Sequence, residues 1–313
     1  MDKPKVSPFL VMGFAIIAVS TASIFIRISQ GDGIPSLSIA AYRLTLASLF
    51  IAPFAIWKTH SEIRSISSKD WILILVSGFL LACHFASWIT SLEYTSVASS
   101  VVLVTTAPLW VALLSPLLLK ERITRGIFVG LIVAFLGSVL VGLSETCSFS
   151  PLLSCAAPQG LFGGRAFIGN IFALAGALFS AGYLMVGRKV RERYSLLVYV
   201  FLVYTIAALF LLFLAGLTRT SMNVSNPIDL IWLVALAVIP QLIGHSTLNW
   251  ALKYLSAAYV SIALLGEPVG TVILAFLILK ENPTSFEIFG GVLILGGIYL
   301  ASRVEKKVET AAA

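Results

Sequence analysis

The sequence predicts an all-α polytopic membrane protein of about ten transmembrane helices. Three observations predict it. Only 11% of the residues are charged and 59% are hydrophobic, with a mean hydropathy of +1.01. A soluble domain carries about 25% charge and could not bury so much apolar surface. Apolar stretches near span length recur between short polar breaks, and the chain repeats itself at a shift of 160 residues.

Taken in order, the stretches are Phe9–Ser29, Ser36–Trp57, Trp71–Leu92, Ser96–Leu119 and Gly126–Leu143, then Phe167–Gly187, Leu196–Leu217, Ile228–Ala251, Ala257–Leu279 and Phe286–Ser302. At 1.5 Å per residue each covers about 30 Å, the hydrocarbon thickness of a bilayer. Helices are expected because backbone groups in lipid must bond within their own segment. The stretches are too long and too uniformly apolar for barrel strands. No small-residue cleavage site follows the first stretch, which is expected to stay in the protein. The expected division is a first five-helix repeat at 1–143, an extracytoplasmic loop at 144–166, and a second five-helix repeat with a short cytoplasmic tail at 167–313.

Orientation follows from Lys and Arg. With the N-terminus inside, Lys3, Lys5, Lys58, Arg64, Lys69, Lys120, Arg122, Arg125, Arg188, Lys189, Arg191, Arg193, Lys253, Arg303, Lys306 and Lys307 fall on the inner side, 16 of 21. Arg165, Arg219 and Lys280 fall outside, and Arg27 and Arg43 lie within stretches. This asymmetry predicts a plasma (cytoplasmic) membrane protein with both termini cytoplasmic. It also accounts for the pI of about 9.4 without nucleic acid, since the basic residues sit in short loops rather than on one polar face. The loop Ser144–Ala166 then faces an oxidising compartment. There Cys147 and Cys155 either form a disulfide or stay free thiols.

The repeat aligns Lys120-Glu121 with Lys280-Glu281, Gly130 with Gly290, Gly137 with Gly297, Pro108 with Pro268 and Tyr94 with Tyr254. Five spans is an odd number, so the second copy enters the membrane from the opposite side. Inverted repeats mark many secondary transporters, with the substrate site near the midplane between the halves. A duplication without a transport role is the competing reading.

The residues carry a resemblance. Ala107-Pro108-Leu109-Trp110 up to Leu119-Lys120-Glu121-Arg122, with Gly130 and Gly137, resembles the EamA family of the drug/metabolite transporter superfamily. So does Glu267-Pro268-Val269 up to Lys280-Glu281, with Gly290 and Gly297, and so does Ala41-Tyr42-Arg43. The resemblance implies a basket-like fold in which spans 1–4 and 6–9 surround a central cavity and spans 5 and 10 are peripheral. It implies a metabolite cargo such as an amino acid, an amine or a nucleotide-like compound. Arg43, Pro108, Glu121, Pro268 and Glu281 are expected to be structural.

Ionisable groups inside a membrane are costly and therefore candidates for function. Glu267 lies mid-span, and its repeat mate is Ala107, so it is not shared scaffold. It is expected to be the coupling or charge-reading group, or else half of a structural ion pair with Arg43. Gln241, His245 and Asn249 recur every four residues and form one polar stripe on a helix. His84 and Trp88 share a face of the third stretch. With Trp110 and Tyr183 these are the expected substrate-binding residues.

No phosphate-cradling lysine motif or metal-ligand spacing is found, so no cofactor, no metal and no enzyme activity are expected. The expected function is a secondary active transporter of a small polar organic metabolite by alternating access, proton-coupled or exchanging. A channel or a receptor with a central ligand cavity is the alternative. The expected partners are a small-molecule substrate, protons and membrane lipid, with no nucleic acid, in a monomer or dimer.

Overall fold

The computed structural model describes residues 6–95, 97–121, 123–144, 147–149, 153–155, 164–224, 226–274, 276–277, 280 and 282–312. Among these, nine helices are long and apolar enough to cross a membrane, and Val102–Leu118 is a shorter tenth. We number the spans in chain order. Spans 1, 2 and 3 are Pro8–Gly31, Ser36–Arg64 and Ser68–Tyr94. Span 4 is two helices, Val97–Val104 and Ala107–Leu118, and span 5 is Arg125–Leu143. Spans 6, 7 and 8 are Gly164–Arg191, Leu196–Leu217 and Pro227–Ala251. Span 9 is again two helices, Ala257–Leu264 and Glu267–Leu274, and span 10 is Ser285–Glu305. The outward faces carry exposed apolar side chains such as Phe14, Leu117, Phe213 and Leu217, a surface that only lipid can cover.

Several helices run past their apolar stretches. Span 2 continues from Trp57 to Arg64 and span 6 from Gly187 to Arg191, because a helix that has left the hydrocarbon can still close its turns with polar residues. Spans 4 and 9, read from sequence as continuous, are broken at residues 105–106 and 265–266, which are 160 apart. Each break is closed by short bonds. Thr106 N–H donates to Leu103 O in span 4, and Leu265 and Gly266 N–H donate to Ile262 O and Ala263 O in span 9. Pro108 and Pro268 then sit in the first turn of the second helix, where the missing N–H would have had no partner in any case. Both prolines are therefore helix starts rather than interruptions within a helix. Lys120 and Lys280, also repeat mates, both take a left-handed backbone with φ near 60°.

Spans 5 and 10 pack on each other through glycines. A Cβ on Gly130 would lie 2.6 Å from Gly297 O, and one on Gly137 would lie 2.5 Å from Gly290 O. Gly130 and Gly290 are repeat mates, as are Gly137 and Gly297. Contact between each glycine and the mate of the other is what a two-fold relation between the halves requires. Close backbone approach through small residues is a common means of helix association in lipid.

In the loop between the halves, strands Cys147–Phe149 and Leu153–Cys155 pair antiparallel with Cys147 opposite Cys155. The side chains of both cysteines lie outside the described residues, as does Glu281.

Candidate functional site: a polar cavity at two broken helices

A cavity of about 90 Å³ lies where spans 4 and 9 break. Thr105, Ala107 and Pro108 of span 4 and Ser261, Leu265 and Glu267 of span 9 line it. Arg43 of span 2, His84 and Trp88 of span 3, Ser180 of span 6 and His245 of span 8 complete its polar wall, with Val19, Ala22 and Leu184 among the apolar remainder.

Glu267 is the first residue of its half-helix. A helix N-terminus carries a partial positive charge that favours a carboxylate. The turn is held by span 1. Ser20 Oγ lies 2.9 Å from Glu267 O, and Thr271 Oγ1 lies 3.1 Å from both Glu267 O and Ser20 O, so each hydroxyl proton is within reach of that turn.

Arg43 is fully buried. Its Nε donates to Gln241 Oε1 at 2.8 Å, and its guanidinium lies 4.2 Å from the centre of the Phe85 ring. The ion pair with Glu267 that the sequence leaves open is not among the ion pairs of the described residues, although both side chains line the cavity. His84 Nδ1 lies 2.9 Å from Gly176 O. A carbonyl only accepts, so Nδ1 carries the proton and donates, which fixes the tautomer of a neutral ring. The His84 ring stacks on Trp88 at 6.0 Å, and His245 meets Phe85 edge-on at 5.4 Å.

The polar stripe of span 8 divides its work. Gln241 holds Arg43, and Asn249 Nδ2 donates to Tyr183 Oη at 2.5 Å. Both are fully buried behind the cavity wall, and only His245 between them reaches the cavity. Part of this span, Ala237–His245, is a π-helix around Pro240. A proline inside a helix lacks an N–H and clashes with the preceding turn, and a widened turn relieves both.

Of the expected binding residues, the structure therefore brings His84, Trp88, His245 and Glu267 together at one cavity. Gln241, Asn249 and Tyr183 support it from behind, and Trp110 packs against the core and is not among the residues that line it. Thr105, Ser180 and Ser261 were not singled out from sequence. The pairing of Thr105 with Leu265 across the repeat, beside the two prolines, is the signal that could have found the breaks.

Away from the cavity, Glu121 joins three elements. It pairs with Arg188 Nε of span 6 at 2.9 Å and accepts from Ala257 N–H of span 9 at 3.2 Å. Arg188 Nη1 also donates to Leu252 O at 2.7 Å.

The EamA-like transporter family model matches the chain twice, over residues 7–143 and 167–303. An uncharacterized transporter of Archaeoglobus fulgidus is 23% identical over 297 residues, covering 94% of this chain and 96% of that protein. The uncharacterized transporter YdfC of Bacillus subtilis is 26% identical over 280 residues, covering 88% and 85%. A solved crystal structure superposes with a TM-score of 0.78 at 18% identity, over 96% of this chain and 98% of that one, which is a likeness of fold. Long apolar helices, the duplicated architecture and the two-fold family match agree, and the chain is an integral membrane protein that belongs to the EamA-like transporter family.

Proposed function

We propose that this chain is a secondary active transporter of a small polar organic metabolite, an amino acid, an amine or a nucleotide-like compound, working by alternating access. The observation that carries the reading is the placement of the cavity at two breaks related by the repeat. Discontinuous helices at the interface of inverted repeats are a recurrent architecture for substrate sites in transporters. A half-helix rotating about either break changes one wall of the cavity while the other stays in place.

Glu267 is the coupling group, exchanging a proton or reading a cationic part of the cargo. The protein sits in the plasma membrane with both termini cytoplasmic, supported by the Lys and Arg asymmetry. The loop hairpin then faces outward, and the antiparallel register of Cys147 and Cys155 supports a disulfide there. Thiol labelling of intact cells should rise only after reduction, and full labelling beforehand would remove the bond. The transport reading is tested by uptake of labelled amino acids, amines and nucleosides into sealed vesicles carrying the purified protein. Saturable entry above protein-free vesicles is expected. Entry no faster than in protein-free vesicles across the panel would overturn it.

A further inference from the structure

Among the described residues, three arginines are largely withdrawn from water, and two of them are satisfied. Arg191 donates from Nε to Asn249 O and from Nη1 to Tyr194 O. Arg188 has Glu121 and two backbone carbonyls. Arg43 differs. Only its Nε has a partner, while Nη1 and Nη2 are buried with no hydrogen-bond partner. A buried guanidinium with two unpaired amino groups is a costly arrangement, and a purely structural arginine would not keep it.

Among the described residues, buried side-chain atoms without a partner occur in several parts of the bundle, and three of them belong to residues that line the cavity. Arg43 lines the cavity, and so does Trp88, whose Nε1 is also buried without a partner. Gln241 and Phe85 hold the guanidinium by its Nε and its face, which leaves the Nη1/Nη2 edge as the part without a role. That edge presents two roughly parallel N–H donors, the fork that matches a planar oxyanion.

We propose that Arg43 is the substrate-reading residue of this cavity and that the cargo bears a carboxylate, received by Arg43 Nη1 and Nη2 with Trp88 Nε1 as a further donor. This deepens the transporter reading and rests on it. A carboxylate fits better than a phosphate for two reasons. One guanidinium balances one negative charge, and Glu267 on the same wall, holding a proton or facing a cationic part of the cargo while the carboxylate is bound, offers nothing to balance a second. The cavity volume is about three waters' worth. In this conformation it therefore receives the head of the cargo rather than the whole.

The test is thermal stabilisation of the purified full-length protein by carboxylic acids, each beside its carboxamide. The panel holds amino acids, 2-oxo acids and benzoate, with inorganic phosphate as a further arm. An acid should stabilise, while its amide and phosphate should not. Arg43→Gln should weaken the acid at least about ten-fold, the scale of a lost charge-assisted hydrogen bond. Trp88→Phe keeps the ring, removes only the N–H and should weaken the same acid several-fold. It carries the test if the Arg43 variant does not fold. Equal stabilisation by acid and amide, stabilisation by phosphate instead, a panel of acids with no effect, or unchanged affinity in the variants would each overturn the proposal. Flux of the same compounds separates the two claims. Acid binding without flux keeps the anion site and removes the transport reading. Flux of a carboxylate-free compound that survives Arg43→Gln keeps transport and removes the anion site.

Discussion

Arg43 of span 2 and Gln241 of span 8 are joined by a 2.8 Å hydrogen bond across the bundle, and that bond holds the guanidinium at the cavity wall. Because Arg can only donate, Gln241 must present its oxygen. Gln241→Leu removes the acceptor and leaves a third buried guanidinium nitrogen unpaired. The expected cost is ~1.5–3 kcal/mol, the range for hydrogen bonds to charged groups. Unfolding of the detergent-solubilised variant measures it. Stability equal to the parent would mean that the bond is replaced by water or by another side chain.

Asn249 and His84 separate support from recognition. Asn249 bonds Tyr183 behind the wall, whereas His84 lines the cavity. Asn249→Ala should lower the melting temperature and leave the affinity of the folded protein for its ligand within about two-fold, while His84→Phe should weaken binding by about ten-fold or more. Titration of each purified variant with a ligand that stabilises the parent decides between them. Loss of affinity in Asn249→Ala at unchanged stability would move Asn249 into the site.

The glycine contacts give a paired prediction. A Cβ on Gly137 meets Gly290 O at 2.5 Å and Ile294 N at 2.7 Å, both backbone atoms, whereas a Cβ on Gly296 meets nothing within 4 Å. Gly137→Ala forces spans 5 and 10 apart and should cost ~1–3 kcal/mol, as overpacking does. Gly296→Ala should be neutral or stabilise by up to ~1 kcal/mol through helix propensity. Equal effects of the two would contradict the packing described here.

Glu267 is tested through coupling. Glu267→Gln keeps the shape and hydrogen-bonding capacity of the side chain but cannot exchange a proton. Uptake driven by a pH gradient should be abolished, and exchange of substrate for substrate should persist. Unchanged pH-driven uptake by the variant would remove Glu267 from coupling.

Much of this was readable from the chain. Span limits follow apolar length, and the repeat register put Pro108 against Pro268 and Gly130 against Gly290. Neither the breaks nor the cavity could be read in the same way. A proline in an apolar run is equally compatible with a kinked helix, and only the short bonds at Thr106 and Leu265 show that spans 4 and 9 end and restart. The stripe of Gln241, His245 and Asn249 showed which face of span 8 is polar. It did not show that two of the three would be taken by Arg43 and Tyr183, because partners 198 and 66 residues away are set by packing rather than by local pattern. Arg43 read as structural because the run Ala41-Tyr42-Arg43 resembles the family and because Glu267 offered it an ion-pair partner. Its two empty donors are visible only once the neighbours are in place.

Counterflow is the measurement to make first. Vesicles carrying the protein are preloaded with unlabelled substrate and diluted into a trace of labelled substrate. Alternating access predicts a transient accumulation of label above its outside concentration, lost when the preload is omitted. Label that only equilibrates, at a rate indifferent to the preload, would mean a passive pore and would contradict the transporter reading.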